Sequence, residues 1–422
     1  MVQLNFSLNR LWSFVLYSLA LFPLLPKGLE SILLICFTIL SFLLYFKKKR
    51  YNRDVFGVKD FFLVVLLSSI FLIYAVSICY SSNWEKGISQ TIRVIPIASF
   101  PLIFGFLRKD CLSENEIDYI KYIYIFAVSS GLIYLNISSL NKLYFSNSSH
   151  WEIRQYLEMV SDVHGTYMSL WVGFGVLILF SLIVNWAVGQ KLKLIIAGMV
   201  LIIYFLYWQI TIGARMPLIM TIILCCIYLF FRVKSSLRYI LVFFLLSGFI
   251  LFLNLSESNF MQRVENVFNV EHSLPSGDYS LNFEDISSED IRKGIFLCSW
   301  QLIKKSPLVG YGVGDVQFNL DQCYQERIPS NVYQKFLYNS HNQYLHVVLV
   351  GGAFALAVFL MSLFVVLYIS YWKSDYLLFS FTILTMACFM TENLISRHDG
   401  IIFYSLFNSI LIFSKNEKGL SA

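Results

Sequence analysis

The chain has 422 residues, of which 57% are hydrophobic and only 14% charged, and its mean hydropathy is +0.66. This composition excludes a soluble globular domain and indicates an all-α polytopic integral membrane protein. The net charge of +6 arises from basic clusters beside the apolar runs, so it reports the orientation of the spans and gives no support to nucleic-acid binding.

Apolar runs of roughly 20 residues, enough to cross ~30 Å of hydrocarbon, predict about 12 transmembrane helices. They lie at 10–26, 29–46, 61–80, 91–107, 117–138, 165–187, 194–211, 216–232, 239–254, 343–372, 376–394 and 401–414. The first run has no small-residue cleavage site and continues into the second, so it is not interpreted as a signal peptide.

Lysine and arginine clusters beside the spans predict the orientation. With twelve spans, the clusters and both termini share one side, which is predicted to be the cytoplasm. The clusters are Lys47–Arg53, Arg108 and Lys109, Lys191 and Lys193, Arg232 to Arg238, Lys373, and Lys415 and Lys418. The polar segment 255–340 then faces outward. Its composition agrees, because residues 255–341 contain 11 acidic and 7 basic side chains.

The chain divides into three predicted parts: spans one to nine at 1–254, the large outward loop at 255–340, and three spans with a short tail at 341–422. Within the loop, the apolar spacing predicts an amphipathic helix at 256–272. An irregular stretch follows at 273–288, and a second helix begins at Ser288 and is stopped by Pro307. A short interfacial helix is also predicted outside the loop, at 151–160.

The cysteines give no metal-ligand spacing, so the sequence predicts no metal site. Cys298 and Cys323 share the outward loop. They can pair in an oxidising compartment, and two free thiols packed in the loop are an equally good interpretation.

Two arginines are candidate phosphate ligands. Arg215 stands between two apolar runs, where an arginine costs ~2.5–3.5 kcal/mol at a helix centre and usually lines a polar site. The alternative is a side chain that snorkels to lipid head groups. Arg292 lies near the start of the second loop helix, where the helix dipole disfavours a cation unless an anion or a salt bridge to Glu289 compensates. Two guanidinium groups on one surface suit bidentate contacts with phosphate oxygens.

His341 precedes the apolar run at 343–372 and is the candidate general base. A helix that starts at Ser340 puts positions 341, 344, 345 and 348 on one face, so the imidazole is expected beside Tyr344. Histidine titrates near neutral pH and therefore suits proton transfer. The alternative is a hydrogen-bonded structural histidine.

Five further outward side chains are possible lining residues of a polar cavity: His164, Asn342, Tyr344, Glu392 and Arg397. Interfacial anchoring is the simpler interpretation for His164, Glu392 and Arg397. The glycines of Gly310–Gly314 do not form a nucleotide loop, because the third glycine of that motif would fall at position 315, which is Asp315. They predict a tight turn after the second loop helix.

The order of these motifs resembles the O-antigen ligase family, which includes related O-antigen polymerases and bacterial O-oligosaccharyltransferases. The resemblance lies in Arg292, the run Ser306–Gly314, the run His341–Leu345, and Gly351 with Gly352. The twelve spans and the single large late loop extend the resemblance to the whole chain. It implies a fold like that of membrane-embedded (GT-C-like) glycosyltransferases, with one large helical periplasmic loop.

The resemblance implies inverting transfer of O-antigen from undecaprenyl pyrophosphate to a sugar hydroxyl of lipid A-core, without a cofactor, metal or ATP. It implies a multi-pass protein of the bacterial inner membrane, with both termini cytoplasmic and the active site facing the periplasm. Arg215 and Arg292 match the family's arginines that hold the donor pyrophosphate, and His341 matches its essential histidine. These residue types suit neutralising a leaving pyrophosphate and accepting or aligning a hydroxyl proton.

Three alternatives stay open. An O-antigen polymerase would use a second carrier-linked glycan as acceptor, and a protein O-oligosaccharyltransferase would use a serine or threonine. The chain length and the lack of a C-terminal periplasmic extension favour the ligase among these. A lipid-linked glycan transporter or flippase would also have a dozen spans, but the charged residues within the spans that a translocation pathway needs are scarce.

Overall fold

The computed structural model describes residues 2–49, 58–107, 112–140, 150–232, 274–275 and 288–414, and these contain helices and no β-strand. The first half consists of α1 (Val2–Ala20), α2 (Lys27–Lys49), α3 (Val58–Leu67), α4 (Ser69–Ser77), α5 (Trp84–Arg93), α6 (Ile95–Leu102), α7 (Glu114–Leu140), α8 (His150–Ser161), α9 (Gly165–Val188), α10 (Leu192–Ile212) and α11 (Arg215–Arg232). The second half consists of α12 (Ser288–Lys305), α13 (Val316–Arg327), α14 (Val332–Lys335), α15 (Gln343–Trp372), α16 (Tyr376–Phe389) and α17 (His398–Ile412). The all-α class is confirmed.

Five helices are long and apolar enough to cross a membrane, at Lys27–Lys47, Glu114–Ser139, Gly165–Val184, Leu192–Ile212 and Gln343–Trp372. Two bent pairs raise the number to seven: α3 with α4, bent by 64°, and α5 with the segment Ile95–Leu107, bent by 41°. Shorter apolar helices occur at Arg215–Phe231 and Tyr376–Phe389. The protein is therefore helical and membrane-spanning, and twelve spans remain a prediction.

Two of the helices predicted outside the long apolar runs are present in the structure. The predicted helices at 151–160 and from Ser288 are confirmed as α8 and α12, and α12 ends two residues before Pro307. The predicted span at 239–254 and the helix at 256–272 lie outside the described residues, as does most of 273–288. The three-part division of the chain stays a prediction.

The core of the bundle surrounds α17, in which every residue from Asp399 to Ile412 is buried. Phe174 of α9 is central to its packing: its ring centroid lies 4.8 Å from that of Phe407 and 5.0 Å from that of Phe381. Such edge-on aromatic contacts add to the energy of apolar burial. By contrast, only 28% of the spanning segments of α2 and of α10 is buried, which places these two helices at the periphery.

Helix α15 is broken near its start. Gly351 and Gly352 have non-helical backbone angles, and Gly352 has φ +70°. The ring of Tyr344 lies only 6.0 Å from that of Phe359, whereas fifteen residues of straight helix would separate them by roughly 22 Å. The first turns of α15 therefore fold back toward the bundle.

The turn after α12 fills this break. The Tyr311 and Gly312 N–H groups donate to the carbonyls of Leu349 and Val350 at 2.8 and 3.0 Å, and the Ala353 N–H donates to the Pro307 carbonyl at 2.8 Å. The predicted tight turn at Gly310–Gly314 is confirmed. Its glycines let two backbones touch, because a Cβ on Gly352 would lie 2.0 Å from the Leu308 carbonyl oxygen.

Asp315 fixes the other side of the same turn. Its carboxylate accepts hydrogen bonds from the N–H groups of Ser82 and Asn83 at 2.5 and 2.9 Å, at the start of α5. The Val313 N–H donates to Ser77 Oγ at 3.0 Å. Asp315, which stands where a nucleotide-binding motif would have glycine, thus anchors the large loop to the helix bundle.

A disulfide joins Cys298 of α12 to Cys323 of α13, with the two Cα atoms 5.7 Å apart. The alternative of two free thiols is excluded. The Tyr333 hydroxyl donates to the Ile291 carbonyl at 2.8 Å and so ties α14 to the start of α12. Disulfides persist in oxidising compartments, which agrees with the predicted outward position of this loop.

We expect Gly352→Ala to lower the thermal unfolding midpoint of the purified protein markedly. An L-residue at positive φ costs on the order of 1–3 kcal/mol, and the contact with Leu308 adds to it. Gly28→Ala is the matched control, since a Cβ there meets nothing within 4 Å. Equal midpoints for the two variants would contradict the docking of the turn against the break.

Replacing both Cys298 and Cys323 by serine should cost about 2–4 kcal/mol, because the bond restricts an unfolded loop of 25 residues. The measurement is the unfolding midpoint with and without reductant. The matched control replaces the exposed free thiols Cys36 and Cys79 by serine and leaves the reductant effect intact. A wild-type midpoint that does not respond to reductant would contradict the prediction.

Candidate active site

His341 lies in a turn rather than on a helix. The helix begins at Gln343, and Asn342 is its N-cap, with the side-chain oxygen accepting from the Leu345 N–H at 3.0 Å. The predicted helix start at Ser340, with 341, 344, 345 and 348 on one face, is wrong because this N-cap begins the helix at Gln343, three residues later. His341 has φ +41°, a left-handed conformation uncommon outside glycine.

The imidazole of His341 is paired with Glu392, with Nδ1 and Oε2 3.3 Å apart. Burial raises the pKa of Glu392, but the hydrogen bond and charge of His341, the charge of His164 and the Asn393 N–H outweigh it and lower the pKa to about 2. Glu392 is therefore ionised near neutral pH and can only accept. It follows that Nδ1 carries the proton in this bond, and Nε2 of neutral His341 is left as the proton acceptor.

Short hydrogen bonds fix the turn that carries Glu392. The Asn342 amide donates to the Met390 carbonyl at 3.0 Å, and the Tyr344 hydroxyl donates to the Met386 carbonyl at 2.9 Å. The Ile395 N–H donates to Gln343 Oε1 at 3.0 Å. Two of the predicted lining residues, Asn342 and Tyr344, thus tie the start of α15 to the end of α16.

His164 lies in the turn between α8 and α9, beside an ion pair. Arg154 Nε is 2.9 Å from Glu158 Oε1, and an Arg154 terminal nitrogen is 3.5 Å from His164 Nε2. Burial lowers the pKa of His164, the charges of Arg154 and Arg397 add to this effect, and the charge of Glu158 opposes it. Glu392 also acts electrostatically on His164. His164 and His341 therefore both interact electrostatically with the Glu392 carboxylate.

The α8–α9 turn also connects to the Glu392 turn. The Tyr167 hydroxyl donates to the Asn393 carbonyl at 3.1 Å. Sequence analysis did not include Arg154 and Glu158 among the site residues. Their spacing of four residues on the predicted helix, just before His164, is the signal that marks them.

Arg215 is half-buried and begins α11, just after the end of α10. The end of α10 packs on the α8–α9 turn. A Cβ on Gly165 would lie 3.3 Å from Ile212 Cγ2 and 3.1 Å from Arg154 Nε. The structure therefore places the end of α10, three residues before Arg215, beside the His164 cluster.

Arg292 is exposed near the start of α12. Its neighbour Ile291 accepts the Tyr333 hydroxyl bond, the Tyr333 and Tyr338 rings lie 5.5 Å apart, and the Tyr338 and His341 rings lie 6.1 Å apart. A chain of two tyrosines thus leads from α12 to His341. The described contacts link Arg292 to the site through this chain and not directly.

A second charged cluster adjoins the first. His398 Nε2 lies 3.0 Å from Glu30 Oε2, and Lys27 Nζ lies 2.9 Å from Asp162 Oδ2 and 3.9 Å from Asp399 Oδ2. Arg397 is exposed at the N-cap of α17, immediately before this cluster. Sequence analysis missed Lys27 and Glu30, although two charges between the first two apolar runs are themselves a signal.

Polar groups of four turns therefore meet at one end of the bundle: those before α2, α9, α15 and α17. An apolar cavity of about 280 Å³ lies near these turns, and its lining includes Ser161, Val163, Trp171 and Leu24. Within the described ranges, no group of three or more His, Cys, Asp or Glu side chains can hold a metal ion.

A protein-family model matches part of the chain. No curated protein matches the chain. Residues 197–360 match the family model described as O-antigen ligase, and this segment contains Arg215, Arg292, His341 and the broken start of α15. Glu392 and His164 lie outside the matched segment. The resemblance is confirmed for residues 197–360, which are similar to the O-antigen ligase family model.

Proposed function

We propose that this protein is an O-antigen ligase that transfers a glycan from undecaprenyl pyrophosphate to a sugar hydroxyl of lipid A-core. The observation that carries the proposal is the His341–Glu392 pair, 3.3 Å apart, at the end of a membrane-spanning bundle. A buried carboxylate beside an imidazole orients the ring and stabilises the positive charge that the ring gains when, as a general base, it accepts a proton.

In the proposed reaction, the acceptor hydroxyl oxygen attacks C1 of the donor sugar while its proton passes to His341 Nε2. The bond between C1 and the pyrophosphate oxygen breaks, C1 inverts, and undecaprenyl pyrophosphate leaves. The Glu392 carboxylate contacts His341 and the Asn393 N–H but no reacting atom, so it is a positioning residue. It stabilises the imidazolium that forms, and the proton later returns to solvent.

The leaving pyrophosphate gains negative charge, which cations in the site can stabilise. Arg215 and Arg292 take this role in the proposal. Arg154 adds a third guanidinium beside His164, where its attraction to Glu158 holds it in place. The glycosyl pyrophosphate bond itself drives the transfer, so the proposed reaction consumes no ATP.

The proposed location is the bacterial inner membrane, with the site on the periplasmic side. The disulfide between α12 and α13 supports this orientation, because such bonds are rare in the cytosol. A transporter would need polar residues along a path through the bundle, whereas the described titratable cluster lies at the helix ends.

We expect His341→Ala to lower ligation about 10²–10⁴-fold, the usual contribution of a general base. The measurement is the lipopolysaccharide gel profile of a deletion strain that expresses each variant at matched membrane levels. Arg215→Ala and Arg292→Ala should also leave rough lipopolysaccharide and accumulate full-length glycan on the lipid carrier. Arg327→Ala, an exposed arginine of α13, is the control for Arg292 and should restore the ladder.

Other outcomes of the same experiment point elsewhere. A deletion strain with single repeat units attached to core identifies a polymerase. A normal ladder combined with loss of a glycosylated protein identifies a protein O-oligosaccharyltransferase. Glycan that stays on the cytoplasmic side of the membrane identifies a flippase. Each of these results contradicts the ligase proposal.

The stability of the protein should depend on Glu392 and on pH. The folded pKa of about 2 is below the ordinary value of 4.5, so the ionised group stabilises the fold above about pH 4.5, and this contribution is lost as the pH falls toward 2. Glu392→Gln should therefore cost up to about 3 kcal/mol at pH 7 and progressively less below pH 5.

The measurement for this prediction is the unfolding midpoint of wild type and variant across that pH range. Glu326→Gln changes an exposed carboxylate of α13 and is the matched control. A difference between wild type and Glu392→Gln that stays constant from pH 7 to pH 3 would show that Glu392 is not held ionised by its partners.

A further inference from the structure

One face of α12 carries exposed aromatic side chains. Phe296 and Trp300 are 57% and 47% exposed, and their rings stack with centroids 6.4 Å apart. Lys304 Nζ lies 5.6 Å from the centre of the Trp300 ring. These residues are four apart and share one side of the helix, while the opposite side, with Cys298 and Leu302, is buried.

The turn after α12 extends this surface. Leu308 and Val309 are 71% and 55% exposed. We call Phe296, Trp300, Leu308 and Val309 the aromatic patch. Exposed aromatic and aliphatic residues beside lysines are the composition of helices that lie in a membrane interface, and a soluble surface rarely exposes such a cluster.

The patch is continuous with the surface that α15 presents to lipid. The Ala353 N–H donates to the Pro307 carbonyl at 2.8 Å, so the patch adjoins α15 just after its break. The next residue, Phe354, is 77% exposed on an apolar span. Leu308 and Val309 therefore stand beside a side chain that faces the membrane.

The length of α15 indicates where the contact between the aromatic patch and α15 lies relative to the membrane. From the break to Trp372 the helix has about 20 residues and is ~30 Å long, the thickness of the hydrocarbon. Its far end carries Tyr371 and Trp372, 77% and 68% exposed, which are residue types of the membrane interface. The near end, with Phe354 and the turn at 307–309, then lies at the opposite interface.

We propose that the aromatic patch of α12 rests in the lipid head-group region on the side of the candidate site, with Lys304 and Lys305 at lipid phosphates. The aromatic rings occupy the level of the glycerol backbone, and the cations lie above them. The loop is then held by the bilayer as well as by the bundle. This proposal goes beyond the proposed function and does not depend on it.

The test uses the fluorescence of Trp300 in the full-length protein, reconstituted in nanodiscs of phosphatidylglycerol and phosphatidylethanolamine. The chain has eight tryptophans, so the Trp300 signal is the difference between wild type and Trp300→Phe. We expect strong quenching by lipids brominated near the head-group end of the acyl chain, and weaker quenching by lipids brominated near the methyl end. Aqueous acrylamide should quench Trp300 poorly.

Trp208 is the control, because it lies in a spanning helix and is buried by protein. Its signal, obtained with Trp208→Phe, should respond to neither quencher. Trp300 quenched by acrylamide and not by brominated lipid would show a solvent-exposed face. Trp300 quenched by neither would show a face covered by protein. Both results overturn the proposal.

Discussion

The break in α15 is the constraint on which the rest of the candidate site depends. An unbroken helix of 30 residues would be ~45 Å long and would carry His341 away from α16. The break at Gly351 and Gly352 turns the first segment back, and the end of α16 then comes within hydrogen-bond distance of Asn342 and Tyr344. A break also frees backbone carbonyls, and an unpaired carbonyl near hydrocarbon costs several kcal/mol. The turn after α12 supplies the missing donors, so the loop and the break stabilise each other.

The hydrogen-bonded contact between the turn after α12 and the break in α15 permits a second energetically unfavourable feature, the burial of Glu392. A carboxylate that is 6% exposed loses most of its hydration, and its attraction to His341 offsets this loss only if the geometry is held. The left-handed backbone of His341 adds strain of its own. Replacing such a pair by apolar residues is often neutral or stabilising, so stability alone gives no reason to keep it. Both features are local departures from the most stable arrangement, and such departures concentrate where a protein carries out chemistry.

Sequence reasoning was accurate where the signal is local. The start and end of α12 follow from Ser288 and Pro307, and the glycine turn follows from Gly310–Gly314. It failed at His341, because the same sequence is compatible with a helix that starts at Ser340 and with an N-cap at Asn342. Only the hydrogen bond from the Leu345 N–H to the Asn342 side chain distinguishes the two alternatives.

The pairing of His341 with Glu392 was beyond the reach of sequence, since 51 residues separate them and their meeting depends on how α15 and α16 pack. Glu392 and His164 were identified as lining residues without a reason to connect them. Lys27 and Glu30 were missed from the sequence, and their partners lie in turns more than one hundred residues away. Periodicity predicts which elements form, and it contains no information on which turns meet.

The two arginines of the proposed reaction belong to different parts of the molecule. Arg215 is carried by the bundle, at the start of α11, while Arg292 is carried by the loop, on α12. Their separation is therefore set by the docking of the loop and by no single helix. The hydrogen bonds from Ser82 and Asn83 to Asp315, and the tyrosines that lead to His341, fix this docking from two directions. A pyrophosphate that binds both guanidinium groups would bridge loop and bundle, so donor binding and loop docking would stabilise each other by the same free energy.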